Sequence, residues 1–155
     1  VNSTAHSSST RGYETYLLRP GKTDNAIEVV ERENAVIDLE QEKHQYVDLT
    51  NENYIIASMA QNTFMKESED FAALIQKHFK KTLKNKTKDR GVKQAGFHVL
   101  VGATMPNVLI EVGFLSNKQE AYNLSKSYYR RQIAESIFQA IVDFKIKYEK
   151  PILKQ

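Results

Sequence analysis

Glu111 is the residue of this chain whose type and position most clearly suggest chemistry, because it is a single acid inside an apolar run. The other residues from 108 to 112 are Val, Leu and Ile, a composition typical of a buried strand. A carboxylate there is costly unless it is paired, hydrogen-bonded or facing a polar site. Gly113 follows at once, and α/β sheets carry their active sites at the carboxyl ends of strands. We therefore predict that Glu111 is functional; the alternative is a buried acid satisfied by a neighbouring strand or helix.

Metal-ligating residue types are sparse, since the chain has four histidines and no cysteine. A thiolate nucleophile or thiolate metal site is therefore excluded. His6 lies in a Ser-rich loop, His44 in a polar loop, His78 on a predicted helix and His98 inside a predicted strand. No two of them have a ligand spacing such as His-x-x-x-His, so we predict that His78 and His98 are structural.

The elements that must position Glu111 follow from periodicity. The pattern predicts strands at 13–18, 97–101 and 108–112, and helices at 24–40, about 54–84 and about 127–148. Ser116 or Asn117 can cap a further helix, because Gln119 and Glu120 lie at capping-box distance from them. The two later strands are close enough in sequence to be neighbours, either as a hairpin or through a loop that crosses the end of the sheet. This order predicts an α/β fold, a mostly parallel sheet flanked by helices on both faces.

Length, composition and net charge restrict the number of domains and the classes of function. A length of 155 residues with 41% hydrophobic content is that of one globular domain. The net charge of +3 is too small to suggest nucleic acid, and no segment has the apolar length of a membrane span. Lysines are concentrated between 77 and 88. They either complement the end of a helix and face solvent, which helix-end preferences favour, or contact an anionic polymer.

Four blocks of the sequence together resemble one enzyme family. They are Arg-Gly-Tyr-Glu-Thr-Tyr-Leu at 11–17, Arg-Gly-Val-Lys-Gln-Ala-Gly-Phe-His-Val-Leu at 90–100, Met-Pro-Asn-Val-Leu-Ile-Glu-Val-Gly-Phe-Leu-Ser-Asn at 105–117, and Gln-Ile-Ala-Glu-Ser-Ile at 132–137. In content, order and spacing they resemble the zinc-dependent N-acetylmuramoyl-L-alanine amidases. The resemblance covers most of the chain outside residues 21–66.

The resemblance implies a peptidoglycan hydrolase of the bacterial periplasm or cell envelope, and hence an exported protein. Such enzymes cleave the amide between N-acetylmuramic acid and the L-alanine of the stem peptide. Zinc, held by two histidines and a glutamate, activates water in this family. A glutamate in the Glu-Val-Gly-Phe motif is the general base, and that role maps onto Glu111. It needs a carboxylate because the proton taken from water must reach the leaving amine.

The chain departs from the family at its start, because the three zinc ligands of the family lie upstream of the position that matches Val1. Residues 1–155 are therefore expected to be the C-terminal portion of one catalytic domain, truncated at its N-terminal side. We expect it to bind no zinc and to be inactive alone. A sheet that lacks its first strands exposes apolar surface, so self-association or pairing with an N-terminal piece is also expected.

A second departure is a helical insert at about 21–66, which the resemblance predicts to be regulatory and which is of the type found in cell-separation amidases. In those relatives an insert helix blocks the zinc until an activator protein displaces it. Arg32-Glu33-Asn34-Ala35 resembles the matching piece, so the resemblance makes Glu33 the candidate inhibitory zinc ligand, with Glu31 second. An excess of carboxylates suits a lid over a metal. The alternative is a solvated acidic helix with no regulatory role.

Other function classes stay open on the sequence. The chain could be a non-catalytic, amidase-like module that binds peptidoglycan or a partner protein. It could also be an interaction domain whose insert pairs with another protein.

Overall fold

The computed structural model describes residues 1–4, 7–19, 34–35 and 63–149. Several predictions lie outside these residues: the helix at 24–40, most of the insert at about 21–66, and the side chains of His6, Glu31, Glu33 and His44.

The described chain contains both strands and helices, which confirms the predicted α/β class. The elements are β1 (Tyr13–Leu18), α1 (Met65–Leu83), β2 (Asp89–Ala95), β3 (Leu109–Glu111), α2 (Lys118–Ser125) and α3 (Ser127–Glu149). Short 3₁₀ turns occupy Lys84–Lys86 and His98–Leu100.

The strands form a sheet in the order β2-β1-β3, and every residue of β1 is buried. At one end of the β1–β2 pair, Tyr13 N donates to Lys88 O at 2.9 Å. At the other, Arg19 N donates to Ala95 O at 3.4 Å. Both strands advance in the same direction between these bonds, so the pair is parallel, as predicted.

The second predicted strand was wrong. Residues 98–100 form a 3₁₀ turn, and the strand lies earlier, at Asp89–Ala95, with Gly91 inside it. Strand β2 lies at the end of the described sheet and buries few residues, so its sequence lacks an apolar run. The two later strands are not neighbours, because β1 separates β2 from β3.

The chain divides into two compact units. The first comprises Val1–Thr15, Asp70–Val92 and Ile110–Gln155. Within it, the Tyr13 ring packs edge-on against Phe79 of α1 with centroids 5.0 Å apart. Both residues are buried. Phe79 faces the core because the apolar positions of α1 recur every three or four residues and so lie on one side of the helix.

Helix α3 packs against α1 in the same unit. Phe71 and Phe144 lie with ring centroids 5.0 Å apart, and His78 Nε2 lies 2.9 Å from Asp143 Oδ2. The buried residues of α3 are Tyr129, Ile133, Ser136 and Ala140. Ile141, on the same helix, is 46% exposed.

The second unit comprises Tyr16–Glu69 and Lys93–Leu109. Its described core contains Tyr16, Leu18, Ala95, Phe97 and Leu100. The apolar residues that follow β2, Phe97 and Leu100, therefore contribute to this core although they lie in or beside a 3₁₀ turn. Among the described helices, none has the length and apolar character needed to cross a membrane.

Candidate active site

Glu111 ends β3, and its carboxylate is buried. Its Oε2 lies 3.0 Å from the backbone nitrogen of Val1, which is a charged amino group where it is the first residue of a chain. In a chain that extends upstream, the same nitrogen would be a peptide amide, able to donate a hydrogen bond without a charge. The acid is thus buried at the carboxyl end of a strand, where the sequence predicted it.

The segment at Asn2 lies beside the loop that follows Glu111. Asn2 N donates to Gly113 O at 2.9 Å, and Leu115 N donates to Asn2 O at 2.8 Å, which makes a parallel bridge between Asn2 and Phe114. Thr4 N continues the contact by donating to Ser116 Oγ at 3.1 Å. The site is therefore built from two segments more than a hundred residues apart in sequence, and this pairing brings Val1 to Glu111.

Glu120 fixes the same loop from the other side. The side chain of Asn117, one of the two caps that the spacing allowed, caps α2 by accepting from the N–H groups of Gln119 and Glu120. The Glu120 carboxylate does not complete a capping box, however. It accepts from Phe114 N at 2.7 Å, from Gly12 N at 2.8 Å and from the hydroxyl of Thr87. One buried acid thus joins the segments before β1, before β2 and after β3.

Gly12 is a glycine for two structural reasons. Its φ is +127°, and a Cβ at this position would lie 2.4 Å from Lys88 O. The close approach lets the Gly12 N–H reach Glu120. Neither the close approach nor the positive φ is visible in sequence.

Glu14 is a third buried acid, on β1, and it is 1% exposed. Arg90 Nε donates to its Oε2 at 2.7 Å, and Asn2 Nδ2 donates to its Oε1 at 3.3 Å. The Arg90 guanidinium also lies over the Phe114 ring, 5.2 Å from its centroid. Glu14 was not predicted to be functional, although it is a lone acid within an apolar strand just as Glu111 is.

The described residues do not supply a zinc site by themselves. No group of three or more His, Asp or Glu side chains among them is placed to hold a metal ion. Both oxygens of Glu14 and of Glu120 accept hydrogen bonds, and His78 contacts Asp143. The structure therefore places Asn2, Gly12, Glu14 and Arg90 around the loop that follows Glu111. The described residues there do not form a set of metal ligands.

Comparison with known proteins identifies the family. Residues 1–143 match the family described as N-acetylmuramoyl-L-alanine amidase. The chain belongs to this family. The match covers nearly the whole chain, including residues 21–66, which the sequence blocks left out.

Individual amidases agree with this assignment. The chain is 36% identical over 91 residues to an uncharacterized cell wall amidase of Bacillus anthracis, an alignment that covers 59% of this chain and 17% of that protein. The catalytic domain of the amidase CwlV from Bacillus (Paenibacillus) polymyxa var. colistinus superposes with a TM-score of 0.54 at 26% identity, over 92% of this chain and 52% of that one. The CwlD amidase of Clostridioides difficile, solved in complex with the GerS lipoprotein, gives a TM-score of 0.57 at 22% identity, over 93% and 50%.

These matches confirm the amidase fold and set its extent. The chain spans about half the length of the solved amidases and a smaller part of the curated relative. The chain thus matches about half of the solved catalytic domain of CwlV.

Proposed function

We propose that this chain forms part of a peptidoglycan amidase that hydrolyses the bond between N-acetylmuramic acid and the L-alanine of the stem peptide. The observation that supports it most directly is the position of Glu111. Its carboxylate is buried at the carboxyl end of β3, in a chain that belongs to the amidase family. That is where an α/β sheet presents its reacting groups.

Glu111 is the proposed general base. Its carboxylate takes a proton from the attacking water and passes it to the leaving amine of L-alanine, so that the amine departs neutral. Strand β3 holds the acid, and Glu120 holds the backbone directly after it through the Phe114 N–H. Zinc, when bound, would polarise the scissile carbonyl and lower the pKa of its water.

The zinc ligands are proposed to come from outside the described residues, because these contain no suitable cluster. The main ligands are expected upstream of Val1. Glu33, in the insert, remains the proposed inhibitory ligand and Glu31 the second choice. We place the protein in the bacterial cell envelope, with peptidoglycan as substrate. The CwlD–GerS complex supports a protein partner, here proposed to be an activator that displaces the insert.

The decisive test compares Glu111→Gln with Glu135→Gln in the intact protein. Glu135 is an exposed acid on α3, so its replacement is the matched control. The Glu111 variant should lose about 10²- to 10⁴-fold in kcat, the range typical of a removed general base, with zinc content unchanged. Release of stem peptides from purified peptidoglycan is the measurement. Undiminished hydrolysis by a folded Glu111→Gln protein would refute the assignment, and binding without hydrolysis by the wild type would favour a non-catalytic module.

The insert and the ligand proposal have their own tests. Glu33→Ala in the intact protein should raise hydrolysis measured without an activator, because it removes the proposed inhibitory ligand. The polypeptide of residues 1–155 should bind no zinc in metal analysis and hydrolyse nothing. Zinc-dependent amidase activity from it alone would contradict the upstream location of the ligands.

A further inference from the structure

The strongest charged surface of the first unit lies at the end of α1. Six lysines and no acid occur between residues 77 and 88, and all six are exposed. They are Lys77, Lys80, Lys81, Lys84, Lys86 and Lys88. The apolar residues of this stretch, Phe79 and Leu83, are completely buried, so the exposed side of the segment is cationic and polar.

Helix stability does not account for this surface. A helix dipole favours cations in the last turn, which contains Lys80 and Lys81. It does not extend to Lys88, which lies beyond the 3₁₀ turn Lys84–Lys86, and like charges three or four residues apart destabilise a helix. None of the six lysines forms an ion pair with another described residue. Elsewhere in the same unit a lysine does, since Lys147 Nζ lies 2.6 Å from Asp70 Oδ2.

The cationic surface continues onto the start of α3. Lys86 Nζ donates to Gln132 Oε1 at 2.7 Å and lies over the ring of Tyr128, 5.9 Å from its centroid. There it meets an open groove of about 550 Å³, lined by Ser127, Tyr128, Arg131, Gln132 and Glu135. Arg131 extends the positive charge along the groove, and the Glu135 carboxylate accepts a hydrogen bond from Gln139. We call the six lysines and Arg131 the basic surface.

We propose that the basic surface binds a linear polyanion of the cell envelope whose repeating units are joined by phosphodiesters. A polymer fits better than a small anion, because the cations are spread along the surface of a helix and an open groove without enclosing a pocket. Lysine ammonium groups act as point charges that match single phosphates along a chain, whereas a carboxylate or phosphate clamp would use paired arginine forks. Only the envelope location depends on the proposed function.

Two other polyanionic partners fit less well. A membrane surface would be reached by exposed apolar side chains among the lysines, and both apolar residues of the segment are buried. Single-stranded nucleic acid binds by stacking successive bases on several aromatic rings, whereas Tyr128 is the one aromatic residue among the five that line this groove. Charge alone therefore carries the recognition, which predicts a strong dependence on salt.

The test uses the intact protein and poly(glycerol phosphate) as the probe. The variant Lys77→Gln/Lys80→Gln/Lys81→Gln removes three charges from the basic surface. The control Lys118→Gln/Lys126→Gln/Lys145→Gln removes three charges from α2, its C-cap and α3. By the relation for single-stranded phosphodiesters, the first variant should reduce the slope of log affinity against log salt by about 2. At 150 mM salt it should bind roughly fiftyfold more weakly, because a slope change of about 2 amounts to about 1.7 log units between 1 M and 150 mM salt. The control and a variant with arginine at the same three positions, Lys77→Arg/Lys80→Arg/Lys81→Arg, should bind as the wild type.

The outcomes separate this proposal from the amidase assignment. Hydrolysis of peptidoglycan stripped of phosphodiester polymers should be equal in wild type and both glutamine variants, whatever the binding result. Equal loss of binding in both glutamine variants would overturn the proposal, because it would reflect net charge only. So would tighter binding to oligo-dT, or to vesicles of anionic phospholipid, than to poly(glycerol phosphate) of the same charge, and so would no binding at all.

Discussion

Replacing Glu120 by glutamine tests how the loop after the proposed general base is held. The carboxylate joins three segments through Phe114 N, Gly12 N and the Thr87 hydroxyl. An amide of the same shape retains only one acceptor oxygen. Whichever way it is oriented, its NH₂ group faces either Phe114 N–H or Gly12 N–H, so one buried backbone donor is left without an acceptor.

The expected cost can be worked out from these bonds. An unsatisfied buried N–H costs about 1–3 kcal/mol, and the surviving bonds weaken when their acceptor loses its charge. Together these effects should lower the free energy of unfolding by about 3 kcal/mol for Glu120→Gln. For a chain of this size, 1 kcal/mol corresponds to about 2–4 °C in Tm, so the expected fall is roughly 6–12 °C. Glu111 lies three residues before Phe114, so kcat should also fall, by about tenfold or more, because small displacements of a catalytic group are costly.

Calorimetry and a stem-peptide release assay on the intact protein measure both effects. Glu135→Gln is the control, since that acid is exposed and its loss should change stability by less than about 0.5 kcal/mol. A double-mutant cycle with Thr87→Val should show coupling, because the hydroxyl and the carboxylate share a bond. A Glu120→Gln protein within 2 °C of the wild type would refute the reasoning that this carboxylate joins the three segments.

Three further substitutions test neighbouring contacts. Arg90→Met should destabilise by about 3 kcal/mol in urea unfolding, because it leaves the buried Glu14 carboxylate without its cation, and adding Glu14→Gln should recover part of the loss. Gly12→Ala should cost at least about 2 kcal/mol and increase proteolysis, because φ is +127° and the new Cβ would lie 2.4 Å from Lys88 O. Burial raises the pKa of Tyr129 from 10.0 to about 12, so its neutral phenol stabilises the fold below pH 10 and this contribution is lost as the pH rises towards 12. Tyr129→Phe should therefore reduce the alkaline loss of stability by about 2–3 kcal/mol, measured by urea unfolding between pH 9 and 12; an unchanged profile would contradict it.

The parts of the fold that were predictable carry a strong local signal. Strand β1 was predicted at 13–18, where the structure places it, because both of its faces are buried and its residues are mainly aromatic or aliphatic. Helix α3 was predicted to within a residue, because its amphipathic pattern is long. The start of α2 followed from the side chain of Asn117. In each case the signal lies within the element itself.

The parts that were missed depend on partners far away in sequence. Strand β2 has a polar sequence because few of its residues are buried. The apolar residues Phe97 and Leu100 are buried although they lie in or beside a 3₁₀ turn. Their apolar character therefore indicated burial and not a strand. The role of Glu120 could not be read locally either. The capping spacing singled out Glu120. The groups that donate to its carboxylate, Gly12 N and the Thr87 hydroxyl, come from distant parts of the sequence.

The three buried acids of the first unit differ in what a change of protonation would do to them. Adding a proton to Glu14 would weaken its bond to the Arg90 guanidinium, and adding one to Glu120 would weaken bonds from two backbone N–H groups and a hydroxyl. Either change would weaken contacts that hold separate segments of the fold together. Neither acid is therefore suited to gain and lose a proton in each catalytic cycle. Glu111 ends its strand, and its Oε2 lies 3.0 Å from the backbone nitrogen of Val1, for which the side-chain oxygen of a glutamine could also be an acceptor. Substitution by glutamine should therefore separate them: at Glu14 and Glu120 stability and activity fall together, whereas at Glu111 activity falls with much less change in Tm.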